Sequence, residues 1–499
     1  MKILSHKAIK RVENATISDQ NITSWQLMER ASKCLSKRII DIFNPQIVYF
    51  MVGKGGNGGD GLAMARICKN LGCKVIILTT FEKNKAGEDY QTNFELLPKE
   101  IETTDNIDIF QSIITENWGK KAVLVDAIFG VGYICRPHKK EVEQAINLIN
   151  SLDREHIKVV SVDIPTGMGC DIESCSQLVV NADYTFTIDS PKLTMLLPTW
   201  GENCGKIEVI DIDYSILALE AATTNYYYSN KIDGLITPRK KFAHKGSFGS
   251  LLIIGSGKGM FGASIIAAKG AESVGVGSIT VYTPEKLLSA LYSTIPTAMA
   301  YIAPESDFVD IGEDFDHFST ICIGMGMGKH PKNYETLKKI LLRCKEIGKP
   351  IVIDADALNI ISENRDLIDF IPKDSILTPH VGEFRRLVGQ WSDEGEKLEK
   401  LRSFSSQISS VVVLKGAHSA ICTPLGDIYF NSTGSPALSR AASGDMLCGM
   451  VGAILSRGVS SLTAARIGLF LHGKAGERAA EKYGEDFATI ERILGEVRG

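Results

Sequence analysis

Strand-length apolar runs alternate along most of this chain with segments whose apolar residues recur at helical spacing. In the first half, residues 46–52 (QIVYFMV), 74–80 (KVIILTT), 122–125, 158–162, 184–188 and 207–212 predict strands. Residues 60–71 follow a glycine cluster and predict a helix. The second half repeats the theme, with strands predicted at 251–254, 278–282, 320–323, 351–353, 375–377 and 411–414, and helices at 262–274, 444–455 and 464–483. Between the halves the pattern weakens after Tyr214, through AATTN (221–225) and three tyrosines, and resumes after the basic stretch RKKFAHKGSFG. The boundary belongs there, separating residues 1–220 from 230–499. Alternation of this kind favours, in each half, a mostly parallel sheet wrapped by helices, so the fold class is α/β. No repeat of solenoid period interrupts it.

Length supports the division, because 499 residues exceed the size at which one core usually keeps growing. The hydrophobic fraction of 44% with 23% charged residues is that of a folded globular chain. A net charge of -4 with dispersed Lys and Arg gives no general attraction to nucleic acid or anionic membrane, so neither is an expected partner. The first residues, MKILSHK, lack the apolar core of a signal peptide, and no apolar run approaches the ~18 residues of a membrane helix. A cytoplasmic protein is expected. Its eleven cysteines contain no C-x-x-C pair, which predicts reduced, mostly buried thiols.

Candidate chemistry lies where strands give way to turns. GKGGNG (53–58) matches G-x-G-x-x-G directly after a strand, a context that favours phosphate binding at a helix N-terminus. The acidic residue that a dinucleotide fold places at the end of its second strand is missing: that strand ends Leu78-Thr79-Thr80, with Glu82 beyond it. A tight turn without a ligand would also use these glycines. Asp126 and Asp163 end the strands at 122–125 and 158–162, so three polar turns could converge on one crevice beyond the carboxyl ends of a parallel sheet. Each aspartate alone also fits a helix or turn cap.

At these residues the chain resembles the N-terminal epimerase domain of the bifunctional NAD(P)H-hydrate repair enzymes. The family's G-x-G-N-N-G-G-D-G, D-A-x-F-G-x-G and S-V-D-I-P-S-G segments stand here as GKGGNGGDG, DAIFGVG and SVDIPTG, and LMERA (27–31) resembles its L-M-E-x-A. The likeness spans about residues 1–215 and implies a Rossmann-like three-layer sandwich. It also implies that Gly56, Asn57, Gly58, Gly59 and Asp60 contact the hydrated nicotinamide nucleotide, as do Gly130, Val131, Gly132, Tyr133, Ile134, Cys135, Arg136 and Asp163. By the same resemblance Asn57, Asp126 and Thr166 hold a potassium ion, for which amide, carboxylate and hydroxyl oxygens are suitable ligands. Asp163 is the expected acid/base group, since inverting the hydrated carbon requires proton movement. Gly56 stands where the family usually has Asn.

In the second half, Gly444-Asp445 opens an apolar helix, where backbone N–H groups can stabilise a transferring phosphoryl group and a carboxylate can take a hydroxyl proton. Asp445 alone would also fit a helix-dipole partner. No P-loop signature is present. VVVLKGAHS (411–419) is a strand entering a polar turn able to cradle an adenylate, and TPHVGEF (378–384) and DADALN (354–359) also cap strands. His380 alone would also fit a hydrogen-bonded structural histidine.

Together these segments resemble the ribokinase-like dehydratase domain of the same repair enzymes. The motifs H-K-G-x-x-G, D-A-D-A-L, T-P-H-x-G-E, K-G-x-x-[ST] and G-S-G-D appear in the family's order across about residues 235–499. The likeness implies a second three-layer sandwich in which Ala263, Gly326, His380 and Asp445 line the hydrate site. Lys415, Gly416, Ala417, His418, Ser419 and Gly444 would bind the nucleotide, and Asp445 would activate the substrate hydroxyl. ADP with magnesium is the expected co-substrate, hydrated NADH and NADPH the expected substrates, and a homo-oligomer the expected assembly. Departures include Ala442 for the glycine before Ser443, Ser435-Pro436 for Asn-Pro, and GMGMG (324–328) for G-P-G-L-G. Two other readings remain open at this level. One makes the second half a hydroxyl kinase for a vitamin or sugar, with the first half a nucleotide-sensing module. The other makes the first half a binding scaffold without turnover.

Overall fold

A computed structural model describes all residues except 82–85, 136, 237, 256, 258, 305–308, 313–314 and 499. The chain forms two compact units, Met1–Tyr226 and Tyr227–Gly499.

The first unit contains seven strands: β1 (Ile47–Val52), β2 (Lys74–Thr79), β3 (Glu102–Thr104), β4 (Ala122–Ala127), β5 (Ile157–Val162), β6 (Tyr184–Ile188) and β7 (Lys206–Ile210). They lie in the order β3-β2-β1-β4-β5-β6-β7, and every pairing is parallel. β1 and β4 are buried along their whole length, as expected of central strands covered on both faces. Because β1 pairs with both β2 and β4, the order reverses there, and a crevice opens beyond the carboxyl ends of β1 and β4.

Two helices precede the sheet, and neither was among the elements predicted above. Helix α1 (His6–Asp19) is capped by Ser5 and buries Ala8, Ile9, Val12 and Thr16 on one face. Helix α2 (Ser24–Phe43) starts with a Thr23–Gln26 capping box and buries Leu27, Ala31, Leu35 and Ile39 at four-residue spacing. Helix α3 (Gly56–Asn70) begins four residues before the predicted start at 60. Missing side chains explain the difference: a Cβ at Gly58 would fall 1.7 Å from the Gly53 carbonyl oxygen, so glycine allows the first helical turn to press onto the end of β1.

The second unit's ten strands are β8 (Tyr226–Ser229), β9 (Ser250–Ile254), β10 (Ser278–Pro284), β11 (Met299–Ala303), β12 (Thr320–Ile323), β13 (Val352–Ile353), β14 (Ile376–Leu377), β15 (Val411–Leu414), β16 (Ala420–Cys422) and β17 (Ile428–Asn431). Their order is β11-β10-β9-β12-β13-β14-β15-β16-β17-β8. From β11 to β15 the pairings are parallel, with the reversal at β9 and β12. β15, β16 and β17 then run antiparallel; β15 was predicted, whereas β16 and β17 follow it with no helix between and so fall outside the strand–helix alternation. Against this sheet the helices Phe261–Ser273 and Ser443–Leu455 cross closely. A Cβ at Gly449 would lie 1.8 Å from the Ala267 carbonyl, and one at Gly270 would lie 2.4 Å from that of Met446. All predicted strands are present with ends moved by no more than two residues. The eleven cysteines are free, eight of them buried. No helix among the described residues is long and apolar enough to cross a membrane.

Two candidate functional sites

In the first unit the turns after β1, β4 and β5 meet at one cavity of about 430 Å³. Lys54 to Asn57 and Asp60 line it from the first turn and α3, Ile128 to Tyr133 from the second, and Asp163 from the third. Gly58 and Gly59 do not line it; they face the protein, where a Cβ at Gly59 would meet the Met28 side chain. Ile134 and Cys135 are exposed and also lie outside the lining, and Arg136 is outside the described residues. The absent ribose acid cannot be compared further, because Glu82 is likewise outside them.

The charge pattern of this cavity comes from several elements. Asp163 is 8% exposed, sits at φ 64°, and accepts hydrogen bonds from the Ile188 N–H (3.1 Å) and the Thr187 hydroxyl (3.5 Å). Lys192, 2% exposed, places Nζ 2.6 Å from Asp163 Oδ1 and also donates to Thr187 Oγ1 and the Ile188 and Ser190 carbonyls. A buried carboxylate thus has a buried cation, and both are held by the backbone. Asp60 has no ion pair among the described residues; burial, reinforced by Asp163 and Glu13, pushes its carboxyl well above the usual range.

Sequence reasoning missed Lys192 and the α1 residues His6, Ile9, Lys10 and Glu13, all but Lys192 lining the cavity. The apolar spacing 8, 9, 12 and 16 was the signal for α1. Lys192 carried none, because nothing in a strand-end Ser-Pro-Lys turn announces an inward-pointing ammonium.

Asn57, Asp126 and Thr166 do come together behind this cavity. Thr166 donates to Asp126 twice, from Oγ1 (2.6 Å) and from N (2.9 Å), and Ser161 Oγ donates at 2.8 Å. The Phe129 N–H donates to Thr166 Oγ1 (3.0 Å), while Asn57 Nδ2 donates to the Phe129 carbonyl (2.7 Å). Asn57 Oδ1 is buried and has no hydrogen-bond partner. Burial raises the Asp126 carboxyl, although the Thr166 and Ser161 hydrogen bonds oppose it. An orphaned amide oxygen, linked through the Phe129 backbone to the Thr166 hydroxyl and the Asp126 carboxylate, belongs to a donor set that suits a hard cation.

In the second unit a cavity of about 730 Å³ is lined by Lys415 to Ser419, His380, Ser443, Gly444, His472 and the segment from Thr433 to Arg440. Ala442 precedes the Ser443–Leu455 helix in the left-handed region, at φ 70° and ψ -6°, so the position does require the conformation glycine adopts freely. Lys415 Nζ lies 2.9 Å from Asp354 Oδ1 and 4.0 Å from Glu383 Oε2. Burial opposes the Lys415 charge, but the two carboxylates outweigh it and the ammonium's pKa is raised. A Cβ on Gly444 would fall 3.4 Å from Lys415 Nζ and 3.9 Å from Asp354 Oδ2, so this ion pair faces the helix start.

Asp445, one residue on, is pushed up to about 6 by burial and by Asp354, with Lys415 pulling the other way and Asp356 adding to the rise. A carboxyl poised near neutrality is well matched to taking a proton from a hydroxyl. His380 caps the helix Val381–Val388: its Nδ1 accepts from the Gly382 N–H (2.9 Å), and its own N–H donates to Glu383 (2.8 Å). It therefore serves the fold and lines the cavity at once. His418, its pKa lowered by burial, has Nδ1 3.1 Å from the Asn431 carbonyl. His472, missed in the sequence, is pushed down to about 4 by burial and stands 3.2 Å from Ser443 Oγ. Ala263 and Gly326 are outside this cavity but adjacent to each other, a Cβ on Gly326 falling 3.1 Å from that of Ala263.

Two helix starts with glycine in the first turn at the carboxyl ends of parallel strands, each with buried carboxyl groups, define a nucleotide-handling α/β protein with two separate sites. Family models agree with that division: residues 24–194 match the YjeF-related protein N-terminus and residues 251–496 the NAD(P)H-hydrate dehydratase model. The bifunctional NAD(P)H-hydrate repair enzyme of Hyperthermus butylicus is 30% identical, covering 98% of this chain and 91% of its own. That of Thermofilum pendens is 29% identical over 99% of this chain and 95% of its own. Among solved structures, an ADP/ATP-dependent NAD(P)H-hydrate dehydratase from Bacillus subtilis has a TM-score of 0.44 and 23% identity, covering 55% of this chain and 100% of that one. The chain belongs to the family of bifunctional NAD(P)H-hydrate repair enzymes.

Proposed function

We propose that the first unit epimerises the R and S hydrates of NADH and NADPH, and that the second dehydrates the S hydrate at the expense of ADP. The observation that carries the second activity is Asp445 at a helix start beside the Lys415–Asp354 pair. Asp445 takes the proton of the substrate hydroxyl as its oxygen attacks the terminal phosphorus of ADP, releasing AMP. The Gly444 backbone and Lys415 face the charge that develops on the phosphoryl oxygens. The hydroxyl has then become a phosphate leaving group, and elimination restores the dihydronicotinamide. Asp354 would supply a hard oxygen donor to a magnesium ion accompanying the diphosphate, whose charge would offset that of the phosphoryl oxygens. Ala263, Gly326 and His380 are assigned to the hydrate, and Lys415 to Ser419 with Gly444 to the nucleotide.

In the first unit, Asp163 moves the proton at the hydrated carbon, with Lys192 holding its carboxylate in place. Gly56, Asn57, Asp60 and Gly130 to Tyr133 surround the substrate. Asn57, Asp126 and Thr166 would hold potassium, whose positive charge offsets the buried Asp126 carboxylate. The expected setting is a cytoplasmic homo-oligomer that engages neither nucleic acid nor membrane.

The test is a dehydration assay on separated R and S hydrates with ADP or ATP, following recovery of NADH absorbance. Recovery from S alone without the first unit's activity, and from both hydrates with it, is the expected result. Accumulation of a stable phosphorylated product would instead favour a hydroxyl kinase. Replacing potassium by lithium should slow conversion of R and leave that of S unchanged.

A further inference from the structure

We infer that Glu13 of helix α1 is the second proton-transfer group of the epimerising cavity, working with Asp163 across the same bound hydrate. This rests on the epimerase reading of the first unit.

Inverting the hydrated carbon takes two proton movements, one at the departing oxygen and one at the arriving oxygen, and Asp163 supplies only one carboxylate. Two other carboxyl groups line the cavity, Asp60 at the start of α3 and Glu13 on α1, and Glu13 is the one with a hydrogen-bonding hydroxyl partner from another element. Glu13 lines it from α1, whereas Asp163 lines it from the turn after β5, so the two carboxyl groups reach the same space from different elements. Their surroundings differ. Asp163 is ion-paired to Lys192 at 2.6 Å. Glu13 has no ion pair among the described residues; its Oε1 accepts a hydrogen bond from the buried Tyr214 hydroxyl at 3.3 Å.

Glu13 faces Lys10 from its own helix, Asp163 and Lys192 from the β5 and β6 turns, Tyr214 from beyond β7, and Asp60 from α3. Burial and the Asp163 charge raise its carboxyl, and the Tyr214 hydrogen bond and the two lysines only partly oppose this. One carboxyl is therefore biased to the acid form while its neighbour is held as an ion pair, the arrangement that divides two carboxyl groups into acid and base.

The hydroxyl of the hydrate is on a ring carbon bonded to the ring nitrogen. Glu13 gives its proton to that oxygen as the C–O bond breaks and the nitrogen lone pair forms a C=N bond, releasing water. A water molecule then adds to the opposite face, forming the new C–O bond. Asp163 takes its proton and the electron pair returns to nitrogen. Exchange with solvent restores the acid form of Glu13 and the carboxylate of Asp163. In the reverse direction the two exchange roles, as microscopic reversibility requires.

The experiment follows R-to-S conversion by the full-length protein without nucleotide, between pH 5 and 9, for wild type, Glu13→Gln, Glu13→Asp and Tyr214→Phe. Expected are a kcat loss of about 100-fold in Glu13→Gln with a smaller change in KM, partial recovery in Glu13→Asp, and a basic limb of the wild-type profile that moves to higher pH in Tyr214→Phe. The limb shift has this sign because the tyrosine hydrogen bond favours the ionised carboxylate. A residue that only shapes the fold would leave the limb in place. If wild type fails to convert R to S, the epimerase reading itself falls. If wild type converts and Glu13→Gln keeps its kcat within about twofold, or loses only KM, the Glu13 role falls while that reading stands. Should Glu13→Gln not fold, the Tyr214→Phe profile decides alone: an unmoved limb overturns the role.

Discussion

The two sites start from the same device and arrange charge in opposite ways. Each begins with a helix that carries glycine in its first turn and an aspartate near its start, three glycines in the first unit and Gly444 alone in the second, at a cavity beyond the carboxyl ends of parallel strands. In the first unit the buried lysine is spent on the reacting carboxylate: Lys192 pairs with Asp163, and the helix-borne Asp60 is left among like charges. In the second the lysine pairs with a neighbouring carboxylate, Asp354, and the helix-borne Asp445 is poised near neutrality by burial and by that neighbour's charge. The difference teaches that a glycine-aspartate cluster does not by itself define chemistry. The placement of one lysine relative to it decides whether the cluster's carboxyl or a neighbouring one is ready to exchange a proton.

The sharpest way to break this comparison is to remove each reacting carboxylate in turn. Asp445→Asn should lower dehydration of purified S hydrate by about 1,000-fold and leave epimerisation intact, measured as NADH recovery and as R-to-S exchange respectively. Full dehydration by that variant would remove Asp445 from the mechanism. Asp163→Asn should do the reverse, lowering epimerisation by about 100-fold with normal use of S hydrate.

Lys192→Met comes next. It leaves the Asp163 carboxylate buried without its cation, and thermal or urea unfolding of the first unit should report a loss of about 3 kcal/mol. A change smaller than about 1 kcal/mol would mean that solvent already reaches this pair.

A finer contrast is one of pH. Dehydration requires ionised Asp445, so its rate should rise through about pH 6 and level off above it. Lys415 pulls that carboxyl down, so in Lys415→Met the midpoint should move to higher pH. An unmoved midpoint would show that another group sets the limb. The smallest effect belongs to Ala442→Gly, which relieves a left-handed alanine and should stabilise the second unit by about 1 kcal/mol or less.

What the sequence made legible was what repeats or has a local signature. Apolar runs located the strands, and the turns at Gly53, Asp126 and Asp163 were read as one crevice because parallel strands deliver their carboxyl ends to the same side. Helix α1 is marked by the 8, 9, 12, 16 spacing of its buried face, but Glu13 lies off that face and nothing local ties it to the strand-end turns it joins. Lys192, Tyr214 and His472 were not legible at all. Each matters through a partner distant in sequence, Asp163, Glu13 or Ser443, and burial of a polar side chain against such a partner leaves no periodic trace. β16 and β17 were lost for another reason: they follow β15 with no helix between, outside the strand–helix alternation that located the other strands.

Gly56 has a consequence of its own. Its neighbours Gly58, Gly59 and Gly61 are each held by an atom that a methyl group would strike, but a Cβ on Gly56 meets nothing within 4 Å, and the residue lines the cavity. With Gly55, where a Cβ would also meet nothing within 4 Å, it is an open letter in an otherwise fixed word. A side chain placed there would alter what the cavity reads without disturbing how the loop is spelled, which makes this position the natural one for tuning the enzyme's choice among hydrated nucleotides.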